Sequence, residues 1–186
     1  MSLNSNPNDS QNSDWLRPLF LVGIVIIAAM TRLIPHPHNV TPLAAIALFG
    51  GAYFSNRAIV FAVPLLAMLL SDYVIGFYPA MGFIYVSLAL IACLGMLLHG
   101  RRSAPWVAGA SIVGSVLFFV ISNFGYWMMM GTYTMDFAGL VTCYVAAIPF
   151  FWNTLAGDLV FVSMMFGGYQ IATRFVPVLR MKGAVA

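Results

Sequence analysis

Apolar residues follow one another in six long runs along the chain, and short polar stretches separate these runs. The runs lie at about 16–34, 42–54, 58–76, 81–98, 105–130 and 138–173. Runs of about 20 apolar residues are typical of helices that cross a membrane. The pattern therefore predicts an all-α integral membrane protein with six transmembrane helices.

The second run is too short for a full crossing. Its length of about 13 residues corresponds to roughly 20 Å of a hydrocarbon core about 30 Å thick. Thr41 followed by Pro42 is a favourable helix start, with Thr41 as the N-cap. We therefore expect a short second helix that begins inside the membrane.

The last run is too long for one crossing. Pro149 and the polar stretch 153–158 interrupt it. Because proline removes a backbone donor and bends or ends helices, the pattern predicts a short segment over 138–151 and then a sixth full span that ends near residue 173.

Composition leaves no room for a sizeable soluble domain. Of 186 residues, 62% are hydrophobic and 7% are charged, and the mean hydropathy is +0.94. These values are far from those of soluble domains. We expect a disordered polar tail over 1–15, a membrane domain over 16–175 and a cytoplasmic tail over 176–186.

Basic residues collect on one side of the predicted bundle. Given six spans, Arg32 is on one side and seven basic residues are on the other: Arg17, Arg57, Arg101, Arg102, Arg174, Arg180 and Lys182. The positive-inside rule then predicts a multi-pass protein of the cell inner (plasma) membrane with both termini in the cytoplasm. Because these charges are scattered singly at segment ends, we interpret them as topology signals and expect the lipid bilayer, not nucleic acid, as the partner.

Polar residues within or beside the spans share one depth, in the predicted outer half. The candidate binding residues on this basis are Arg32, Asn39, Thr41, Asp72, Asn123 and Asp158. Ionisable groups in hydrocarbon cost at least ~2.5 kcal/mol each and normally face a bundle interior or a wet cavity. The cluster therefore predicts a polar pocket that opens outward. Aromatic residues at this depth could wall the pocket or form an interfacial belt: Tyr73, Tyr85, Tyr126, Trp127, Tyr144 and Trp152.

Three alternatives stay open at this point. The formal charge of Arg32, Asp72 and Asp158 together is −1, which suits a cation or a protonated aspartate, whereas the N-terminus of the short helix suits an anion. Arg32 and Asp72 could pair to hold helices together. Asp158 could bind a ligand or could bond backbone groups freed by Pro149.

The sequence lacks the motifs of the enzyme classes that we considered. It contains no G-x-x-x-x-G-K-[ST] loop and no Gly-x-Ser-x-Gly elbow, and the surroundings of its two intramembrane aspartates differ from those of membrane aspartyl proteases. His36 and His38 are possible metal ligands, but the sequence shows no evident third ligand nearby. Cys93 and Cys143 lie in apolar runs and are expected to pack there. We predict a protein that is not an enzyme and has neither a metal nor a cofactor.

Three segments carry a resemblance to known proteins. They are RLIPHPHNVTP at 32–42 with its continuation to residue 54, the stretch 64–72, and GLVTCYVAAIPFF at 139–151 followed by Asn153 and Gly157-Asp158. These segments resemble a group of uncharacterised bacterial membrane proteins described as transporters. That group is similar to the substrate-binding S components of energy-coupling factor (ECF) vitamin transporters.

The resemblance implies a six-helix bundle whose outer pocket is closed by the loop after the first span and lined by spans four to six. Matching positions suggest that substrate-binding residues are Arg32, His36, His38, Asn39, Asn123, Trp127, Asn153 and Asp158. It also implies a membrane coupling subunit with two ATPases as partners. S components present Ala-x-x-x-Ala to that subunit, whereas Gly23 and Ile27 stand at this spacing here. This departure leaves open whether the protein uses such a module or acts alone.

Together these observations predict a transporter subunit that binds a vitamin-like small molecule from the outer side for uptake. The alternative is an accessory subunit of a larger membrane complex that does not transport, in which the polar cluster only locks helices together.

Overall fold

The computed structural model describes residues 7–31, 39–176 and 179. These ranges form six helices and no strand: α1 (Pro7–Met30), α2 (Leu43–Tyr53), α3 (Arg57–Ile75), α4 (Met81–Leu97), α5 (Ala104–Met130) and α6 (Phe137–Phe175). Helices α3, α5 and α6 are long and apolar enough to cross a membrane. The prediction of an all-helical fold is therefore confirmed for the described residues, and three of their helices could cross a membrane, while the count of six spans stays a prediction.

The short helix α2 is the centre of the bundle. Ten of its 11 residues are buried, and it contacts each of the other five helices. Its sequence is apolar on every face, which is typical of a helix that is buried on all sides. The expected short second helix is present, and it forms the core of the molecule.

Helices α2 and α4 approach each other at a pair of glycines. A Cβ atom placed on Gly51 would meet the Ala92 backbone oxygen, and one placed on Gly95 would meet the Leu48 backbone oxygen. Small residues allow two helix backbones to pack closely. This contact holds α2 against α4.

Helix α6 differs from the prediction. It runs without interruption from Phe137 to Phe175, with Pro149 inside it, so the expected break between residues 151 and 153 is absent. A proline in an apolar helix costs one backbone hydrogen bond, and packing against neighbouring helices can compensate for that loss. At 1.5 Å per residue, α6 is about 58 Å long.

Two helix starts also differ from expectation. The N-cap of α2 is Pro42, not Thr41, and no side chain caps the helix. The Pro42 carbonyl accepts the first helical hydrogen bond from Ile46 at 2.8 Å, so the helix begins one residue later than predicted. Helix α1 begins at Pro7, upstream of the predicted start at residue 16, and the division of the chain into tail, membrane domain and tail stays a prediction.

Arginines bind the C-terminal end of α2. The Arg102 Nε donates to the Ala52 carbonyl at 2.9 Å, and an Arg17 guanidinium nitrogen donates to the Tyr53 carbonyl at 3.1 Å. Cations at a helix C-terminus offset its partial negative charge and its unpaired carbonyls. We call this part of the bundle the arginine end; it also holds Arg57, Arg101 and Arg174.

Candidate functional site

A polar cavity of about 280 Å³ lies at the opposite end of the bundle from the arginine end. Helices α2 to α6 and the loops before α2 and α4 all contribute to its wall, so α2 and α3 line it in addition to the three helices expected from the resemblance. Its polar lining residues are Asn39, Thr41, Tyr78, Ser122, Asn123, Tyr126, Thr154 and Asp158. The volume is close to the lower end of the range for small-molecule sites.

Asp158 forms part of the floor of the polar cavity. Its side chain is 3% exposed, and the Ser115 hydroxyl donates a hydrogen bond of 2.7 Å to its Oδ2 atom. No other donor among the described residues reaches the carboxylate. Asp158 does not bond backbone freed by Pro149, because its partner is on α5, so this alternative from the sequence is wrong.

The far side of Asp158 faces an apolar layer. Small and branched residues from α2, α4, α5 and α6 pack there: Ala44, Ala45, Leu48, Ile91, Ala110, Gly114 and Val162. One buried polar side chain, Ser111, lies among them. This layer separates the carboxylate from the arginine end. Within the part of the chain that the structure describes, Asp158 is therefore accessible from the polar cavity alone.

Asn123 and Thr154 present oxygen atoms to the same cavity. The Asn123 Nδ2 donates to the Phe119 carbonyl at 2.8 Å, and the Thr154 hydroxyl donates to the Phe150 carbonyl at 3.2 Å. Each side chain thus uses a donor hydrogen within its own helix. Their oxygen atoms remain as acceptors for a ligand.

The loop before α2 packs directly on α6 beside Asp158. A Cβ atom on Gly157 would lie 3.1 Å from Cγ1 of Val40, so glycine permits this approach. The neighbouring Asn39 has a φ of 65°, a conformation that asparagine tolerates better than most residues. These two features bring Asn39 and Thr41 to the wall of the polar cavity.

A second space of about 350 Å³ adjoins the polar cavity. Five of its eight lining residues are shared with the polar cavity: Asn39, Asn123, Tyr126, Ala147 and Phe150. It continues to Tyr133 in the loop between α5 and α6. The two spaces together provide room for a ligand larger than the polar cavity alone would hold.

The structure separates the predicted site residues into two groups. It brings together Asn39, Thr41, Asn123 and Asp158 at the polar cavity. The other described candidates, Asp72, Trp127 and Asn153, do not line it. Asp72 is 1% exposed and accepts a hydrogen bond of 3.2 Å from the Tyr85 hydroxyl.

Trp127 has a structural partner instead. Its Nε1 donates to the Thr134 carbonyl at 2.9 Å, which ties the end of α5 to the following loop. Asn153 is exposed on α6. Of the six aromatic residues suggested as walls, Tyr126 lines the polar cavity.

Three predicted residues, Arg32, His36 and His38, lie outside the described ranges. The proposed pairing of Arg32 with Asp72 therefore stays a prediction. Within residues 7–31 and 39–176, no group of three or more histidine, cysteine or acidic side chains could hold a metal ion. Cys93 and Cys143 are free thiols.

Sequence reasoning missed Ser115 and Thr154. Ser115 is fully buried, and serines in apolar helices are common enough that a single one carries little information. A better signal was available, since Ser111 and Ser115 are four residues apart and therefore lie on one face of α5. That face is the one that meets Asp158.

A protein-family model matches residues 12–179 of the chain. The chain belongs to a family of unknown function, DUF6580. No curated protein and no solved structure matches it significantly. Family membership carries no activity with it, so the function has to be argued from the polar cavity.

Proposed function

We propose that this protein is a membrane transporter subunit that binds a small molecule in the polar cavity from the outer side of the bilayer, for uptake. The observation that supports this most strongly is the buried carboxylate of Asp158 on the floor of that cavity. A buried ionisable group is costly unless it is paired or used. One hydrogen bond from a serine is little compensation for a purely structural aspartate.

The distribution of arginines supports the orientation in this proposal. All five described basic residues are at the arginine end: Arg17, Arg57, Arg101, Arg102 and Arg174. Under the positive-inside rule that end faces the cytoplasm. The polar cavity would then face the outer side of the inner membrane, where an uptake protein first meets its substrate.

Energy coupling is the part of the proposal that depends on the resemblance to S components. Gly23 of α1 has open space around its Cα, whereas Ile27 is 69% exposed. At Gly23 a coupling helix would find space for close contact with α1. One turn later the exposed Ile27 side chain would keep the two helix backbones apart. We therefore propose the coupling subunit with two ATPases as a partner to be tested, not as a requirement for binding.

Native mass spectrometry of the gently detergent-extracted protein tests the proposal. We expect a reproducible additional mass from a bound small molecule in the wild-type protein and its loss in Asp158→Asn. Asp136→Asn is the matched control, since it makes the same change in an exposed loop residue. Loss of folding in Asp158→Asn without any ligand in the wild type, or a stable complex with other membrane proteins and no ligand, would favour the accessory-subunit alternative.

A further inference from the structure

The polar cavity has one formal charge on its described wall. Asp158 is the single acidic residue among the described lining residues, and no lysine or arginine accompanies it there. The other polar groups of this wall are hydroxyls and amides. Among the described residues, the Asp158 carboxylate is therefore the one group of the wall that can carry a formal charge near neutral pH.

Thr154, Asn123 and Asp158 each have an oxygen atom that receives no hydrogen bond from the described residues, whereas hydroxyls and amides elsewhere on the wall can also donate. Thr154 has used its only hydroxyl hydrogen on the Phe150 carbonyl, and the Asn123 side-chain oxygen has no donor among the described residues. The second carboxylate oxygen of Asp158 likewise has none. A ligand that supplies donors and positive charge would satisfy all three groups.

Aromatic rings form the wall beside these acceptors. Phe119 and Phe151 line the polar cavity with ring centroids 5.0 Å apart, and Phe118 and Phe150 extend the same wall. The face of an aromatic ring attracts a cation, and the attraction grows as water is excluded. The apolar layer behind Asp158 excludes water from that side.

From these observations we propose that the ligand of the polar cavity carries a cationic nitrogen, which docks on Asp158 against the phenylalanine wall. This inference rests on the proposed function and adds the chemical class of the substrate. The first turn of α2 borders the cavity through Leu43 and Ala44, so its positive dipole end could receive a negative group on another part of the ligand. A zwitterion that contains an ammonium group therefore also belongs to the proposed class.

The test uses matched trios of small compounds as the probe. Each trio has one carbon skeleton that ends in an ammonium, a hydroxyl or a carboxylate group, and the skeletons are aliphatic, aromatic or heteroaromatic. The full-length protein in detergent is equilibrated with the equimolar mixture, and bound compounds are identified by mass spectrometry. We expect the ammonium member of at least one trio to be enriched over its hydroxyl and carboxylate counterparts.

Asp158→Asn and its control Asp136→Asn test the role of Asp158 in binding. Asp158→Asn should lower the enrichment of that ammonium compound about tenfold or more, because a charge-assisted bond is lost. Asp136→Asn should leave it unchanged. If Asp158→Asn does not fold, Phe119→Leu is the second variant, and it should weaken binding of the ammonium compound without favouring the carboxylate.

The outcomes separate this inference from the proposed function. Enrichment of a hydroxyl or carboxylate member, or a co-extracted ligand without a cationic nitrogen, would overturn the cationic class and leave small-molecule binding intact. Enrichment of an ammonium compound that is equal in Asp158→Asn would also overturn it. Absence of any bound compound, both from the trios and after gentle extraction, would overturn the proposed function and this inference with it.

Discussion

Ser115 donates a hydrogen bond of 2.7 Å to Asp158 and thereby links α5 to α6. The same hydroxyl lies 3.0 Å from the Ser111 carbonyl. Because a hydroxyl has a single hydrogen, Ser115 shares it between these two oxygen atoms. One turn earlier, Ser111 is 3% exposed, and its hydroxyl has no hydrogen-bond partner among the described residues. The two serines therefore form a natural matched pair.

Removing the two hydroxyls should have opposite consequences. Ser115→Ala leaves the buried carboxylate without its donor and should lower the free energy of unfolding by about 1–3 kcal/mol. Ser111→Ala removes an unsatisfied polar atom, so we expect no loss or a slight gain in stability. Thermal unfolding in detergent measures both variants. Equal destabilisation would show that the hydrogen bond to Asp158 does not matter for stability.

The contact between α2 and α4 predicts a second pair of outcomes. Gly95→Ala places a Cβ against the backbone of Leu48, so the helices must separate, and we expect a loss of about 1–3 kcal/mol or more. The matched control is Gly23→Ala, which meets nothing within 4 Å and should be neutral or stabilising by up to about 1 kcal/mol. Chemical denaturation in mixed micelles compares them. Equal stability of the two variants would contradict the close helix contact.

Arg102 should stabilise the C-terminal end of α2. Its guanidinium bonds the Ala52 carbonyl and lies 4.8 Å from the centroid of the Tyr53 ring. Because the side chain is half-buried, we expect Arg102→Ala to cost about 1–2 kcal/mol, and Arg102→Lys to recover little of it, since an ammonium cannot reproduce the planar contact. Arg101→Ala is the control. This exposed arginine lies 5.5 Å from the Trp106 ring centroid, and its replacement should lower the free energy of unfolding by about 0.5 kcal/mol. Full rescue by lysine would show that charge alone accounts for the effect.

The hydrogen bonds of Asp136 predict that the stability of the N-terminus of α6 depends on pH. The Gly139 backbone N–H donates to its Oδ1 at 2.7 Å and the Thr134 hydroxyl at 2.9 Å, and these hydrogen bonds lower the pKa of Asp136 below its ordinary value. A lowered pKa means that the ionised side chain stabilises the helix start above the ordinary pKa. That stabilisation is lost as the pH falls through the lowered value, below about 4.

Amide hydrogen exchange at residues 137–140 measures this effect. After correction for the intrinsic pH dependence of exchange, protection should fall on acidification in the wild type. In Asp136→Asn, whose amide oxygen still caps the helix but does not titrate, protection should be independent of pH. A pH dependence that persists in Asp136→Asn would assign the effect to another group.

Much of the helical architecture follows from local sequence. The boundaries of α3 and α4 lie within about one residue of their predicted limits. For α3 the reason is local, because Asn56 caps the helix through its side chain and Gly76 ends it with a φ of 111°. The shortness of α2 was also evident from the length of its apolar run. Asn39, Thr41, Asn123 and Asp158, which the sequence predicted to share one depth, all line the polar cavity, whereas Asp72 from the same predicted layer does not. Their depth in a membrane stays a prediction.

Only the tertiary structure decided which polar residues share a wall and which helices stay continuous. Asp72 and Asp158 are both buried aspartates in apolar helices, yet Asp158 lines the polar cavity and Asp72 accepts a bond from Tyr85. The difference arises from helix rotation, which hydropathy does not reveal when every face is apolar. Likewise, α6 continues through Pro149. It packs along α5 there, and the Tyr144 hydroxyl donates a hydrogen bond to the Val120 carbonyl. Packing against a neighbouring helix can compensate for the hydrogen bond that proline removes. Helix propensity along the sequence includes the cost of the proline but not the contacts with a neighbouring helix that offset this cost.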